Sequence, residues 1–144
     1  MSDHLTPEQR SRAMKRVKLK NGSLEKLVQR ELRTRGFRFN RHAKTLPGRP
    51  DIVFGIEKVA VFVDGDFWHG WRLPVWEHKL PPFWRDKLRT NRARDRRNFR
   101  KLRSHGWQVV RLWQHQISSN LEDSIAKITD TVASKQSNKR IRAG

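Results

Sequence analysis

The sequence predicts one α/β domain in which helices pack on a mixed β-sheet. A length of 144 residues fits a single domain, and six Trp and seven Phe supply large side chains for its core. Apolar spacing changes along the chain in the order α, β, β, β, α, β, α, without an internal repeat. We expect the folded domain at residues 23–134, after a basic arm at residues 1–22 and before a basic, disordered tail at residues 135–144.

The first elements follow from apolar spacing and from residues that begin or end helices. Ser23 favours an N-cap and Gly36 a helix end, and four apolar residues recur between them at helical spacing: Leu24, Leu27, Val28 and Leu32. Phe37 and Phe39 alternate with polar residues, which predicts a short strand. The next segment, HAKTLPGRP, contains two Pro and one Gly and is expected to be irregular.

Two apolar runs, residues 52–54 and 59–63, are separated by the tetrapeptide GIEK, which predicts a β-hairpin. Asp51 precedes the first run and Asp64 follows the second. The two carboxylates are therefore expected at neighbouring strand ends.

The second half of the chain predicts a loop, a long helix, a strand and a last helix. The loop covers residues 65–82, the helix runs from Phe83 to His105 before Gly106, and residues 107–113 alternate as a strand. The last helix is marked by four apolar residues at helical spacing: Leu121, Ile125, Ile128 and Val132.

Charge is the strongest functional signal in the composition. The chain has 33 Lys and Arg against 14 Asp and Glu, a net charge of +19, which favours nucleic acid as a partner. Acid is nevertheless concentrated at residues 51–66, next to a helix with ten Lys or Arg at residues 84–103. A divalent cation such as Mg²⁺ would reconcile this acid with phosphate, and it could assist phosphodiester hydrolysis.

A functional and a structural interpretation are both possible for three of the residues that follow Asp64. His69 could accept or donate a proton at neutral pH, or it could be a surface or packing residue. Phe67 and Trp68 could stack on bases or wedge between them, or they could bury their rings in the core. The residues alone leave both questions open.

Several classes of protein are excluded by composition. No apolar run approaches the roughly 20 residues of a membrane span, and the N-terminus lacks the apolar stretch of a signal peptide. We therefore expect a cytoplasmic, nucleoid-associated protein that contacts no membrane. The chain has no Cys, which excludes disulfides and thiolate metal sites.

Six motifs together resemble the very-short-patch-repair (Vsr) DNA mismatch endonuclease family. They cover about residues 10–116 and read RSRAM, LEKLVQREL, LPGRPDIVF, VFVDGDFWHG, FWRDKLRTNRARDRR and LRSHGWQVVRLW. The resemblance implies a restriction-endonuclease-like fold and a Mg²⁺-dependent enzyme that nicks one strand of duplex DNA beside the T of a T:G mismatch. It also implies a monomer.

The resemblance further implies a set of metal-site and proton-transfer residues. Asp51 resembles the central metal ligand, and the Val63 position supplies a backbone carbonyl to the metal. Asp64 stands where the best-known members have a histidine, so it either joins the metal site or replaces a proton-handling group. His69 resembles the histidine that activates water. Two further acids match family positions: Asp95, which supports that histidine, and Glu25 near the metals.

The DNA-binding residues are implied in the same way. Met14, Phe67 and Trp68 match residues that family members insert into DNA beside the mismatch. Four arginines within or beside the matching motifs are assigned to DNA binding: Arg12, Arg49, Arg94 and Arg96.

Many family members hold a structural zinc with Cys and His, and we expect none here. The corresponding places show Asp66, Trp71 and His115. Either apolar packing that involves Trp71, Trp76 and Trp84 replaces the metal, or His115 hydrogen-bonds Asp66. The other alternative is an altered metal site formed by Asp66, His78 and His115.

Three functions remain after this reasoning. The first is the T:G mismatch endonuclease with Mg²⁺ at Asp51. The second is a related nuclease with a changed target, of the restriction or branched-DNA type. The third is a catalytically silent DNA-binding module.

Overall fold

The computed structural model describes residues 22–143, with side chains through residue 137. Arg12 and Met14, which the sequence assigns to DNA binding, lie outside the described residues. The predicted division into arm, domain and tail stays a prediction.

A four-stranded mixed sheet forms the centre of the described chain. Its strands are β1 (Asn40–Arg41), β2 (Ile52–Phe54), β3 (Val59–Asp64) and β4 (Gln108–Trp113), in the order β1-β2-β3-β4. Neighbours pair antiparallel from β1 to β3, and β4 pairs parallel to β3. The predicted hairpin and the mixed sheet are both confirmed.

Helices cover both faces of this sheet. They are α1 (residues 22–34), α2 (Leu73–Trp76), which continues into a 3₁₀ turn, α3 (Pro82–Ser104), α4 (Gln114–Ser119) and α5 (Leu121–Ala143). The long helix predicted between β3 and β4 is confirmed as α3. The backbone of α5 continues through Ala143, farther than the sequence predicted, because neither Gly nor Pro interrupts residues 121–143.

Side chains of β3 alternate between the two faces and so separate two apolar clusters. Val59, Val61 and Val63 join the larger cluster, which packs against α1, α4 and α5. Ala60 and Phe62 join the smaller cluster, which packs against Phe99 and Leu102 of α3. Asp64 continues the alternation of Ala60 and Phe62, so its carboxylate lies on the face that α3 covers.

The predicted strand at Phe37 and Phe39 is wrong. Strand pairing is limited to Asn40 and Arg41, and the two phenylalanines precede it in irregular backbone. Their ring centroids lie 6.3 and 6.0 Å from that of Phe54, so both rings pack on the larger cluster. Burial of both rings explains their positions better than alternation does.

Within the described residues, no helix is both long and apolar enough to span a membrane.

Candidate active site

Asp51 is fixed by the backbone of the neighbouring strand. Its backbone N–H donates to the Val61 carbonyl at 2.9 Å, and its Oδ2 accepts a 2.7 Å hydrogen bond from the Val63 N–H. The preceding turn needs Gly48, whose φ is +77° and whose added Cβ would lie 3.1 Å from the Phe62 ring. Asp51 and Asp64 therefore lie at neighbouring strand ends, as the sequence predicted.

The Asp51 carboxylate is partly buried and lies near other acids. Burial, with added contributions from the charges of Glu25 and Asp64, raises its pKa from 3.8 to about 7, although the Val63 hydrogen bond and the His69 charge act in the opposite direction. At neutral pH the ionised form is therefore poorly compensated. A cation beside this carboxylate would supply the missing compensation.

Glu25 of α1 approaches Asp51 together with a residue that sequence reasoning did not identify, His42. The Nε2 of His42 lies 3.1 Å from Oε1 of Glu25, and Gln29 donates to the same oxygen at 3.0 Å. Ligand atoms of Glu25, His42 and Asp51 all lie within 4.8 Å of one another. This group is able to hold a metal ion.

A second group surrounds His69. Its Nδ1 lies 2.7 Å from Oδ2 of Asp95, and its Nε2 lies 3.4 Å from Oδ1 of Asp64. Burial lowers the pKa of His69, but the Asp95 hydrogen bond and the Asp64 charge outweigh it, so the pKa is raised. Burial raises the pKa of Asp64, although the charges of His69 and Arg111 oppose this.

Arg111 of β4 is the main residue of this site that sequence reasoning missed. Its Nε donates to Oδ2 of Asp64 at 2.7 Å, and its Nη2 donates to Oδ2 of Asp95 at 2.8 Å. The sequence feature that could have identified Arg111 is the presence of a charged residue inside the alternating strand WQVVRLW. Such a residue faces a covered side of the sheet and needs an acidic partner there.

The loop that carries His69 is held at several points. The His69 N–H donates to the Gly65 carbonyl at 3.1 Å, and Nδ2 of the buried Asn91 donates to the Trp68 carbonyl at 2.9 Å. Gly70 has a φ of +66°, and a Cβ there would lie 2.9 Å from the Arg92 side chain. Glycine at this position therefore lets the loop lie against α3.

A cleft of about 180 Å³ brings most of the predicted metal and proton-transfer residues together. Asp51, Val63, Asp64, His69 and Asp95 line it, and the exposed Arg49 lies at its edge. Glu25 does not line the cleft. It belongs to the site because its ligand atom lies within 4.8 Å of those of Asp51 and His42.

Among the described residues that are predicted to bind DNA, Arg49 lines this cleft, whereas the others do not: Phe67, Trp68, Arg94 and Arg96. Arg94 and Arg96 are exposed on α3 on either side of the buried Asp95. Phe67 and Trp68 are half-buried, and their rings pack against that of Trp84, with centroids 6.0 and 5.9 Å away. They are therefore neither fully buried core residues nor free rings.

Phe83, which the sequence did not single out, is the exposed member of this aromatic cluster. Its side chain is 68% exposed, and its ring centroid lies 5.3 Å from that of Trp84. A large exposed ring at the start of the basic helix is a ready surface for stacking.

The position that corresponds to the family's zinc site contains a direct contact. Nδ1 of His115 lies 2.8 Å from Oδ1 of Asp66, and the His115 and Trp71 rings lie 4.2 Å apart. This confirms the predicted hydrogen bond between Asp66 and His115. Among the described residues, neither of the metal-capable groups includes Asp66, His78 or His115.

Comparison with known proteins identifies similar enzymes. A family model described as DNA mismatch endonuclease Vsr matches residues 2–73. The type II nicking enzyme V.XorIIP of Xanthomonas oryzae pv. oryzae (strain KACC10331 / KXO85) is 40% identical over 136 residues, which cover 90% of this chain and 98% of that protein. The type II nicking enzyme V.NmeDIP of Neisseria meningitidis serogroup C is 34% identical over 140 residues and 93% of each chain. The DNA mismatch endonuclease Vsr of Escherichia coli (strain K12) is 31% identical over 118 residues, which cover 79% of this chain and 74% of that protein.

These similarities make the protein a strand-nicking endonuclease that acts on DNA. The chain belongs to the Vsr DNA mismatch endonuclease family. The catalytically silent module is therefore excluded as its function.

Proposed function

We propose that this endonuclease nicks one strand of duplex DNA at a T:G mismatch and that it uses Mg²⁺. The observation that carries the proposal is the shared cleft, which is lined by the partly buried Asp51 and by the His69–Asp95 pair. The name of the Escherichia coli relative, a DNA mismatch endonuclease, supports a mismatched substrate.

The donor set fits Mg²⁺, which prefers oxygen ligands and usually takes one or two carboxylates in phosphate-processing sites. Asp51 is the central ligand in this proposal, with the Val63 carbonyl beside it and Glu25 nearby. Asp64 is a further candidate, although its Oδ2 is bonded to Arg111. When bound, Mg²⁺ would polarise the scissile phosphate and lower the pKa of the attacking water.

His69 acts as the proton acceptor in the proposed reaction. Its Nδ1 faces Asp95 at 2.7 Å, which favours a proton on Nδ1, so in the neutral ring Nε2, 3.4 Å from Oδ1 of Asp64, is the nitrogen that accepts a proton from water. Because the pKa of His69 is raised, this neutral form increases as pH rises. The water oxygen then forms a bond to phosphorus as the bond from phosphorus to the sugar oxygen breaks, and the leaving sugar oxygen takes a proton from solvent. The proton taken by His69 can later pass to solvent.

The cationic surface binds the duplex. Arg49 at the cleft and the exposed Arg94 and Arg96 contact phosphates, while Phe67, Trp68 and Phe83 face the opened base stack. Arg12 and Met14 of the arm add contacts. The mixed sheet covered by helices on both faces supports a restriction-endonuclease-like fold, and we propose that the enzyme acts as a monomer.

The second candidate is a nicking enzyme with another target. Two relatives are named type II nicking enzymes, without a mismatch in their names, and this observation keeps the candidate open.

End-labelled duplexes separate the two candidates. Fully paired duplexes and duplexes with one T:G pair, in several flanking contexts, are incubated with Mg²⁺ or with EDTA, and Asp51→Asn serves as the inactive control. The proposal expects a Mg²⁺-dependent nick in the T-bearing strand only. Equal nicking of paired duplexes would favour the second candidate, and nicking in EDTA would contradict the metal requirement.

A further inference from the structure

We propose that Arg111 is a positioning residue that holds both carboxylate partners of His69 in place for strand nicking. The inference rests on the proposed role of His69. It starts from a closed ring of four side chains, in which Arg111 bonds Asp64 and Asp95, and each of these carboxylates faces a different nitrogen of His69.

The distances in this ring show that Arg111 bonds both carboxylates through different nitrogens. Arg111 reaches Asp64 through Nε at 2.7 Å and Asp95 through Nη2 at 2.8 Å. The same Oδ2 of Asp95 also faces Nδ1 of His69 at 2.7 Å. Because one oxygen serves both partners, a displaced Arg111 displaces the group that orients the imidazole.

Arg111 is itself held rigidly. Its guanidinium lies between two rings, with Cζ 4.1 Å from the Trp113 ring centroid and 4.9 Å from that of Phe99. In the parallel ladder it pairs with Phe62 of β3, two residues before Asp64. Stacking and strand pairing together fix the direction of the Arg111 guanidinium. Less conformational entropy is therefore lost when each of its hydrogen bonds forms.

The planar fork is the property that this position requires. Two nitrogens at different angles reach two carboxylates that come from β3 and α3. A lysine ammonium is a compact charge on a flexible stem, and it cannot reproduce both directions at once. Lysine therefore keeps the positive charge near Asp64 and Asp95 but loses the alignment.

Two other roles for Arg111 would give different results when the residue is replaced. A phosphate contact would lower DNA affinity on substitution, but Nε and Nη2 already bond carboxylates and the side chain is only 23% exposed. A purely structural role would lower stability without a specific effect on the nicking step, since removing one partner of a buried ion pair is destabilising.

The test compares Arg111→Lys and Arg111→Met with Arg103→Lys. Arg103 is a matched control because it is exposed and also stacks on Phe99, at 6.0 Å. Single-turnover nicking of the duplex that wild-type enzyme cleaves best gives the chemical rate, and metal-free binding of the same duplex gives the Kd. Circular dichroism at the assay temperature identifies variants that remain folded.

We expect Arg111→Lys to fold, to keep its Kd within about twofold and to nick roughly 10- to 100-fold more slowly, the size expected for a misplaced proton-transfer group. The Nδ1–H resonance of the His69 ring, identified by its loss in His69→Gln, should move or broaden in Arg111→Lys. It should stay unchanged in Arg103→Lys. Arg111→Met should show the same changes at a temperature where it is folded.

Three results would overturn the inference. One is a normal nicking rate in folded Arg111→Lys, another is an unchanged His69 resonance, and the third is a rate loss explained by a weaker Kd. His69→Gln separates this inference from the function on which it rests. If that variant nicks at the wild-type rate, the proposed role of His69 fails; if it is slow while Arg111→Lys is normal, only the role of Arg111 fails.

Discussion

Asp51 and Val63 are joined between neighbouring strands by a 2.7 Å hydrogen bond, in which the Val63 N–H donates to Oδ2 of Asp51. The bond fixes one carboxylate oxygen to the backbone of β3. The direction of the carboxylate therefore depends on the sheet and not on a flexible side chain. The first two predictions follow from this arrangement.

Asp51→Asn should abolish Mg²⁺-dependent nicking while metal-free DNA binding stays near normal. The amide oxygen can still accept the Val63 hydrogen bond, but the ligand charge is lost. We expect a rate loss of about 10³-fold or more, since metal-assisted charge stabilisation is worth several kcal/mol. Single-turnover nicking measures the rate, duplex binding in EDTA measures the DNA affinity, and a Mg²⁺ titration of the Tm measures metal binding. Asp130→Asn, at an exposed site on α5, is the control, and a Mg²⁺-induced rise in Tm that persists in Asp51→Asn would contradict the prediction.

The metal-free protein should lose stability as pH rises from about 4 to about 7. Asp51 has an ordinary pKa of 3.8 and a folded pKa of about 7, so the folded state retains a proton that the unfolded state releases. The stability linked to this proton is fully present below the ordinary pKa and is lost as pH rises through the folded pKa. Each unit of separation corresponds to roughly 1.4 kcal/mol.

Urea unfolding in EDTA across this pH range measures the effect. In Asp51→Asn the free energy of unfolding should fall less between pH 4 and pH 7 than in wild type. The variant should be more stable than wild type at pH 8. If both proteins have the same pH profile, Asp51 does not titrate as the structure indicates.

Phe83→Ala should reduce the preference for mismatched over paired DNA without unfolding the protein. The ring is 68% exposed, so its removal takes little from the core. Loss of one stacking contact is expected to cost about 1–3 kcal/mol of binding to an opened site. Competition binding with T:G and paired duplexes measures the preference. Ile56→Ala removes a side chain that is 75% exposed on the hairpin turn and should have no effect. An equal loss for both duplexes would remove Phe83 from mismatch recognition.

Replacement of Arg94 and Arg96 by Gln should weaken DNA binding and its salt dependence together. Two lost phosphate contacts should reduce the slope of log K against log salt concentration by about 1.8, at about 0.9 per contact. Binding of paired duplex at several salt concentrations gives this slope. The control replaces Lys127 and Lys135 of α5, on the opposite side of the sheet from α3. A similar change in slope for the control would indicate diffuse attraction instead of local contacts.

In buffer without added Mg²⁺, EDTA should leave the Tm of the protein unchanged. His115 and Asp66 bond each other directly at 2.8 Å, and we expect this contact to hold the loop without a metal. His115→Ala should cost about 1–2 kcal/mol through the lost hydrogen bond and the lost contact with Trp71. Calorimetric melting of wild type, His115→Ala and the exposed control His78→Ala measures both effects. One zinc per chain in protein purified without chelator would refute the prediction.

The sequence predicted the order of the main elements and the hairpin, because β2 and β3 are apolar runs with a short turn between them, but it missed the short helices α2 and α4. It also predicted that Asp51 and Asp64 lie close together, since they bound paired strands. The strand predicted at Phe37 and Phe39 is wrong, because alternation of buried and exposed residues does not require strand pairing.

The roles of Arg111 and His42 depend on contacts between distant segments. Arg111 is 16 residues from Asp95 and 47 from Asp64 in sequence, and only the parallel pairing of β4 with β3 brings the three together. Local spacing carries no information on such a pairing. A charged residue on a strand indicates that a partner exists but does not identify it.

The parallel pairing of β3 with β4 also affects how the enzyme matures. Strand β4 begins at Gln108, after the whole of α3 has crossed the sheet. During synthesis, Asp51 and His69 therefore leave the ribosome well before the strand that completes the covered face behind them. We expect nascent chains and fragments that end before residue 108 to be unable to cut DNA, because they lack β4 and the Arg111 side chain that bonds Asp64 and Asp95.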